Sequence, residues 1–313
     1  MLKYVTEICE LLDDPAAGGG QVCDLLKERG LEQVGMRRVQ GALGSTDFLQ
    51  VGIPGKSGKT SSGAAPSLGI IGRLGGIGAR PSRTGMVSDA DGAVVAVACA
   101  LKLADMRRKG DLLEGDVLIA THICPRSPVI PHQPVPFMGS PVEMREMNRN
   151  EVSPLMDAIL SVDATKGNRI ANWRGVAITP TVKQGYILRV SEDLLDLLSW
   201  TTGRPPRVVP ITTQDITPYG NGLFHMNSIL QPATATDSPV VGVALTSEVA
   251  VPGCATGANQ AVDLDEACRF CLEVAKAFSS GICSFYDGAE FEKMVRLYGS
   301  MSALQTTGRS LSE

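Results

Sequence analysis

Apolar residues fall in short dense runs, and amphipathic stretches lie between them along most of the chain. FLQVGI at 48–53, LGIIGRL at 68–74, DVLIATHI at 116–123, AILSVDA at 158–164, WRGVAIT at 173–179, RVVPIT at 207–212 and PVVGVALT at 239–246 read as strands. Helices are expected over about 3–13 and 20–29, the second closed by Gly30. The Ala- and Leu-rich segment 90–109 ends in Arg107, Arg108 and Lys109 before Gly110, which suits the negative end of a helix dipole. Ser191 can cap a helix through about Trp200, with Glu192 and Asp193 in its first turn and Gly203 and Pro205 beyond it. Asp263 followed by Glu266 resembles a capping box for a helix running to about 280 and closed by Gly281, and a last helix spans about 289–298.

Strands alternating with helices imply βαβ units. The expected fold class is therefore α/β, three-layered, with a mixed and mainly parallel sheet and helices on both faces. No internal repeat or linker divides the 313 residues, so one domain is expected: a helical and strand lead-in at 1–45, a core at 46–285, and a C-terminal helix and tail at 286–313.

Composition narrows the function. Hydrophobic residues at 43% and charged residues at 20% suit a globular chain. Aromatics at 4% and a net charge of −4 leave neither base-stacking platforms nor a basic footprint, so no nucleic-acid partner is expected. The longest apolar candidate, GAVVAVACAL at 92–101, stops at Lys102, too short for a membrane span. The N-terminal MLKYVTEICELLDD is amphipathic and acidic, unlike a secretory signal, and the expected location is the cytoplasm. There the eight cysteines would remain thiols. A small-molecule substrate or ligand is the expected partner, and nothing in the composition excludes a homo-oligomer.

Residues 52–92 hold 11 of the 34 glycines, which marks turns and close backbone approaches of the kind found at binding sites on α/β sheets. GIPGKSGKT at 52–60 imitates a phosphate-binding loop but has five residues where that motif has four, so a plain glycine loop is expected. SDADG at 88–92 lacks calcium ligands at the first and twelfth loop positions, Val87 and Ala98. Cys268 and Cys271 have no second pair and are expected in the core.

Four segments lie at expected strand C-termini, where open α/β sheets place ligands. They are GIIGRLGG (69–76) leading into GMVSDADGAV (85–94), IATHICP (119–125), SVDATKG (161–167) and VPGCATG (251–257). Asp89 either caps the following helix or faces the site, and Asp163 ends an apolar strand. His122 and Cys124 share a strand face, as a thiol nucleophile with its base, as soft-metal ligands, or as a buried thiol beside a hydrogen-bonded imidazole. Arg73, Arg80 and Arg83 either bind a substrate anion or are solvated.

The order of these segments resembles the zinc-dependent exopeptidase fold shared by the di-zinc aminopeptidases and the deacylase-like peptidases, and within it a bacterial family of unknown function. The resemblance covers about residues 45–280. In those enzymes a first strand ends in His-x-Asp, a metal-bridging Asp precedes a glycine and a long helix, the next strand ends in Glu-Glu, a later strand in Asp, and a late loop supplies a His. Asp89 stands at the bridging position and Asp163 at the later carboxylate. The intervals are 16 residues from Arg73 to Asp89, 33 to His122, 41 to Asp163 and 91 to Cys254, so no lid domain is inserted in the first. His-x-Asp is replaced by Arg73-Leu74-Gly75, Glu-Glu by His122-Ile123 or its neighbours, and the closing His by Cys254 or Thr256.

The resemblance thus implies the scaffold with a rebuilt site. The leading expectation is an enzyme on a small amino-acid-like or peptide-like substrate. His122, Cys124 and Cys254 would be its catalytic groups, and Arg73, Arg80 and His132, in the PVIPHQPVPF loop, would bind substrate. No cofactor is expected, except that Asp89, Asp163 and His122 could hold one divalent ion such as zinc. A non-catalytic ligand-binding or assembly subunit and a single-metal amidohydrolase or aminopeptidase are the alternatives. Only three histidines, His122, His132 and His225, are available to any of these.

Overall fold

The apolar runs become the middle of one sheet. The computed structural model describes residues 1–73, 75–77, 85–212, 219, 221–254 and 257–307. Its strands are β1 (Gln33–Gly41), β2 (Gly44–Ile53), β3 (Leu68–Gly72), β4 (Val117–Ile123), β5 (Val129–Ile130), β6 (Phe137–Met138), β7 (Ala158–Ala164), β8 (Gly175–Ile178), β9 (Val182–Lys183), β10 (Tyr186–Ile187) and β11 (Val240–Thr246). Its α-helices are α1 (Leu2–Asp13), α2 (Gly19–Glu28), α3 (Asp91–Arg108), α4 (Met144–Glu151), α5 (Glu192–Thr202), α6 (Ala261–Ser279) and α7 (Gly288–Tyr298). The sheet runs β1-β2-β4-β3-β7-β11-β9-β10, with β8 also paired to β11, and β5–β6 form a separate hairpin. The four central strands β4, β3, β7 and β11 are parallel and those flanking them antiparallel, so the mixed α/β class read from the sequence is the one observed.

Strands β3 and β11 are buried along their whole length, and alternate residues sort to two cores. Ile70, Leu160 and Val243 pack with residues of α1, α3, α5 and α6. Ile71, Ile159 and Ala244 pack with Tyr219, Ile229 and Leu230 on the opposite face. The long helices thus cover the first face, while α4 and a 3-10 segment, Ser228–Thr234, contribute to the cover of the second. Gly72 and Gly92 let α3 start directly against β3, because a Cβ on either would strike the other segment's main chain. That contact fixes where the residues just before α3 stand.

Several expectations are corrected. The 207–212 run is no strand: Val208 makes an isolated bridge to Ile178, and Pro210 has no N–H to offer a ladder. Helix α6 starts at Ala261, so Asp263 lies inside its first turn and accepts from Arg174 Nε at 3.0 Å instead of capping. Ser191 does cap α5, accepting from Leu194 N at 3.2 Å, and Gly203 closes it with φ 67°. Cys268 and Cys271 are buried in the core as free thiols. No helix among the described residues is long and apolar enough to cross a membrane.

The phosphate-loop imitation has a structural purpose. Its chain folds around the buried carboxylate of Asp116, which accepts from Gly55 N at 2.9 Å, Thr60 N at 2.9 Å and Thr60 Oγ1 at 2.8 Å. Gly58 lies so close that a side chain there would collide with the same carboxylate. Asp116→Ala leaves these donors without their acceptor and is expected to cost about 3 kcal/mol, read as a lower urea midpoint; an unchanged midpoint would show that the loop does not depend on it.

Candidate functional site

The parallel strands end on one side of the molecule. Gly72 pairs with Thr121 on β4 and with Val162 on β7, so one residue further on Arg73, His122 and Asp163 occupy one row. By alternation all three point to the face that carries α4 and the 3-10 segment. Above the end of β7 lies a cavity of about 520 Å³. Its charged or titratable wall includes Asp89, Asp163, Lys166, Arg169 and His132, and its apolar wall Val135, Phe137, Met138, Ile229 and Val251.

Asp89 reaches the cavity from a 3-10 turn, Ser88–Ala90, which precedes α3. It does not cap that helix, whose N-cap is Ala90 with no side-chain hydrogen bond. Its backbone N–H donates to Gly253 O at 3.0 Å, and its Oδ2 accepts from Met138 N at 3.4 Å. Gly253 N in turn donates to Pro136 O at 3.2 Å, so the turn, the 251–254 loop and the β5–β6 hairpin are tied together around the cavity mouth. Asp163 Oδ1 accepts from Ala164 N at 2.8 Å. His132 lies edge-on to Phe137 with ring centroids 5.7 Å apart.

Arg73, His122 and Cys124 are brought together elsewhere, in a buried polar cluster outside the cavity wall. Glu151, the last residue of α4, is its centre. One carboxylate oxygen lies 2.5 Å from His122 Nδ1 and the other 3.1 Å from Arg73 Nη1. Arg73 Nη2 donates to Asn148 Oδ1 at 2.6 Å, and Asn148 Nδ2 donates to Thr234 Oγ1 at 3.1 Å. Thr46 Oγ1 lies 3.0 Å from Cys124 Sγ. Burial pulls the His122 pKa down, but the Glu151 charge and the adjacent Cys124 thiol outweigh it and push the imidazole up to about 10. The ring is therefore a cation at neutral pH. The thiol lies close enough to influence it, yet Nε2 has no aligned acceptor.

Cys254 is fully buried behind the cavity wall, packed against Val87 and Met138. Burial, with the Asp89 charge adding to it, pushes its thiol pKa up. Arg80, Arg83 and Thr256 lie outside the described residues.

The donor set expected for one divalent ion does not fit. Asp89 and Asp163 line the cavity, whereas His122 is fully buried outside its wall with Nδ1 held by Glu151, and the strand position of Arg73 lies between His122 and Asp163. Glu151 holds the imidazole as a cation, so a metal would first have to displace that proton. No group of three His, Cys, Asp or Glu among the described residues is placed to hold a metal.

Glu151 lies outside every candidate site segment of the sequence, and Lys166 lies in one of them, SVDATKG, where nothing singles it out. The usable signal for Glu151 is Met144, Met147, Asn148 and Glu151 at i, i+3, i+4 and i+7, the spacing of one helix face.

A family model described as "Protein of unknown function (DUF1177)" matches residues 37–308. No curated protein matches the sequence. Among solved structures, a TET aminopeptidase from a marine sediment Thaumarchaeota archaeon is similar with a TM-score of 0.51 at 11% identity, over 90% of this chain and 99% of that one. A glutaminyl cyclase from Macrostomum lignano gives 0.51 at 12% identity, over 91% and 90%. One from an Acidobacteriales bacterium gives 0.50 at 11% identity, over 90% and 94%. These likenesses show an exopeptidase-like fold.

Proposed function

The chain belongs to this family of unknown function, and from that premise we propose that it takes a small amino-acid-like or peptide-like molecule into the cavity and acts on it by acid–base chemistry. The observation that carries the reading is the convergence of Asp89 and Asp163 on one cavity at the C-terminal ends of parallel strands. About 520 Å³ is within the ordinary range for small-ligand sites. Two carboxylates suit an amine, and the Phe137 and Met138 wall suits an apolar substituent. The names of the aminopeptidase and glutaminyl cyclases that share the fold support the same substrate class.

In this reading Asp89 and Asp163 orient the amine and exchange protons, with His132 as the imidazole nearest the ligand. Most metal ligands of the exopeptidase pattern are replaced, Arg73 and Cys254 standing at two of their positions, and no step passes through a metal. Cys124 and Cys254 do not serve as nucleophiles here, because both sulfurs are fully buried. The enclosure of His122 in its own ion pair favours, as a second reading, a protein that recognises the same ligand without turnover.

The test is incubation with a panel of free amino acids, dipeptides and N-acyl amino acids, followed by mass spectrometry. Turnover is expected to fall about 100-fold or more in Asp163→Asn and in Asp89→Asn. Binding without product selects the second reading. Turnover that both variants retain rejects the assignment.

A further inference from the structure

Lys166 is a cavity-wall residue that leaves β7 two positions after the last strand residue. Its side chain is only 12% exposed and its ammonium is ion-paired with Asp91 in the first turn of α3. Asp91 is held on its other oxygen by Asn259 Nδ2 at 2.6 Å, and Asn259 donates also to Val87 O at 3.1 Å. The exit of β7, the entry of α3 and the segment before α6 thus fix one ammonium in place. A lysine normally loses most of its rotamer freedom when it binds a ligand; here that loss is already complete in the folded protein. An ammonium has three donors, and the ion pair with Asp91 leaves capacity for a second acceptor. Arg169, the other cation of the wall, is exposed and has no comparable clamp.

We propose that Lys166 anchors a free carboxylate of the ligand. The ligand class is then a molecule carrying a carboxylate beside an amine, its carboxylate on Lys166 and its amine toward Asp89 and Asp163. Lys166 is the specificity-determining residue, and Asp91 and Asn259 are positioning residues that act through it. The inference rests on the cavity reading proposed above.

The probes are dipeptides with a free C-terminal carboxylate, each paired with its C-terminal carboxamide, titrated by ligand-observed NMR. The proteins are wild type, Lys166→Met, Lys166→Arg, and a double variant combining Asp91→Asn with Lys166→Met. The double variant leaves no buried carboxylate without its cation, so it tests the anchor even if the single variant fails to fold. Wild type is expected to prefer acid over carboxamide by about 10-fold or more. The preference should collapse to near unity in Lys166→Met and in the double variant, and return in part in Lys166→Arg. Equal binding of acid and carboxamide by wild type, or a preference that survives in the double variant, overturns the anchor and leaves the cavity reading standing. If neither member of any pair binds wild type, the cavity reading and the anchor fall together.

Discussion

Replacing Glu151 by Gln is expected to destabilise the fold by about 3–5 kcal/mol, although the side chain keeps its size and shape. Glu151 is 1% exposed, and its carboxylate is the shared partner of two buried cations, Arg73 and His122. His122 can respond to the loss by releasing its proton. Arg73 cannot, because a guanidinium remains charged, and the acceptors left to it, the Asn148 carbonyl, the Met147 sulfur and the new amide, are all neutral. The cost is thus that of an uncompensated buried charge, not of a cavity. A triple replacement by Arg73→Met, His122→Phe and Glu151→Leu removes every charge at once and is expected to be less destabilising than Glu151→Gln alone. Urea unfolding followed by circular dichroism measures both. A loss below about 1 kcal/mol in Glu151→Gln would show that the cluster is not held by charge.

Stability is also expected to fall as the solution becomes alkaline. Unfolded, His122 titrates near its ordinary 6.5, whereas in the folded protein Glu151 and Cys124 push it up to about 10 against the effect of burial. The folded state therefore holds the proton more tightly. The contribution is complete below pH 6.5 and is lost as pH rises through about 10, with a slope of about 1.4 kcal/mol per pH unit between the two. Subtracting the profile of His122→Phe from that of wild type isolates this slope from the titration of lysines and other thiols. Two parallel profiles would mean that His122 is neutral in the folded protein.

The two clusters differ in how far they could be read from one dimension. Strands β3, β7 and β11 and helix α3 were legible because dense apolar runs of their length must be buried, and burial on an α/β sheet leaves few places for them. Asp89 and Asp163 were legible as residues placed at the ends of such elements. The bounds of strand β1, QVGMRRVQG, within the expected lead-in were not, because an edge strand facing solvent needs no apolar face. Helix α4, MREMNRNE, was not, because most of its residues are polar and its buried face includes Asn148 and Glu151. Glu151 is 29 residues from His122 and 78 from Arg73, and only the tertiary fold brings the three together. The sequence places His122, Cys124 and Cys254 at the site because strand position is a one-dimensional property. Whether a side chain opens into a cavity or is covered by a helix is not, and α4 is the helix that approaches His122.

Whether a ligand occupies the cavity above β7 is measured most directly by hydrogen–deuterium exchange of wild-type protein with the tightest-binding dipeptide of the panel. Added protection is expected in the β5–β6 hairpin, in 163–169 after β7 and around 250–253, three of the segments that line the cavity. Saturable binding with no added protection in any of them, or with protection confined to the groove between 188–193 and 284–291, would contradict it.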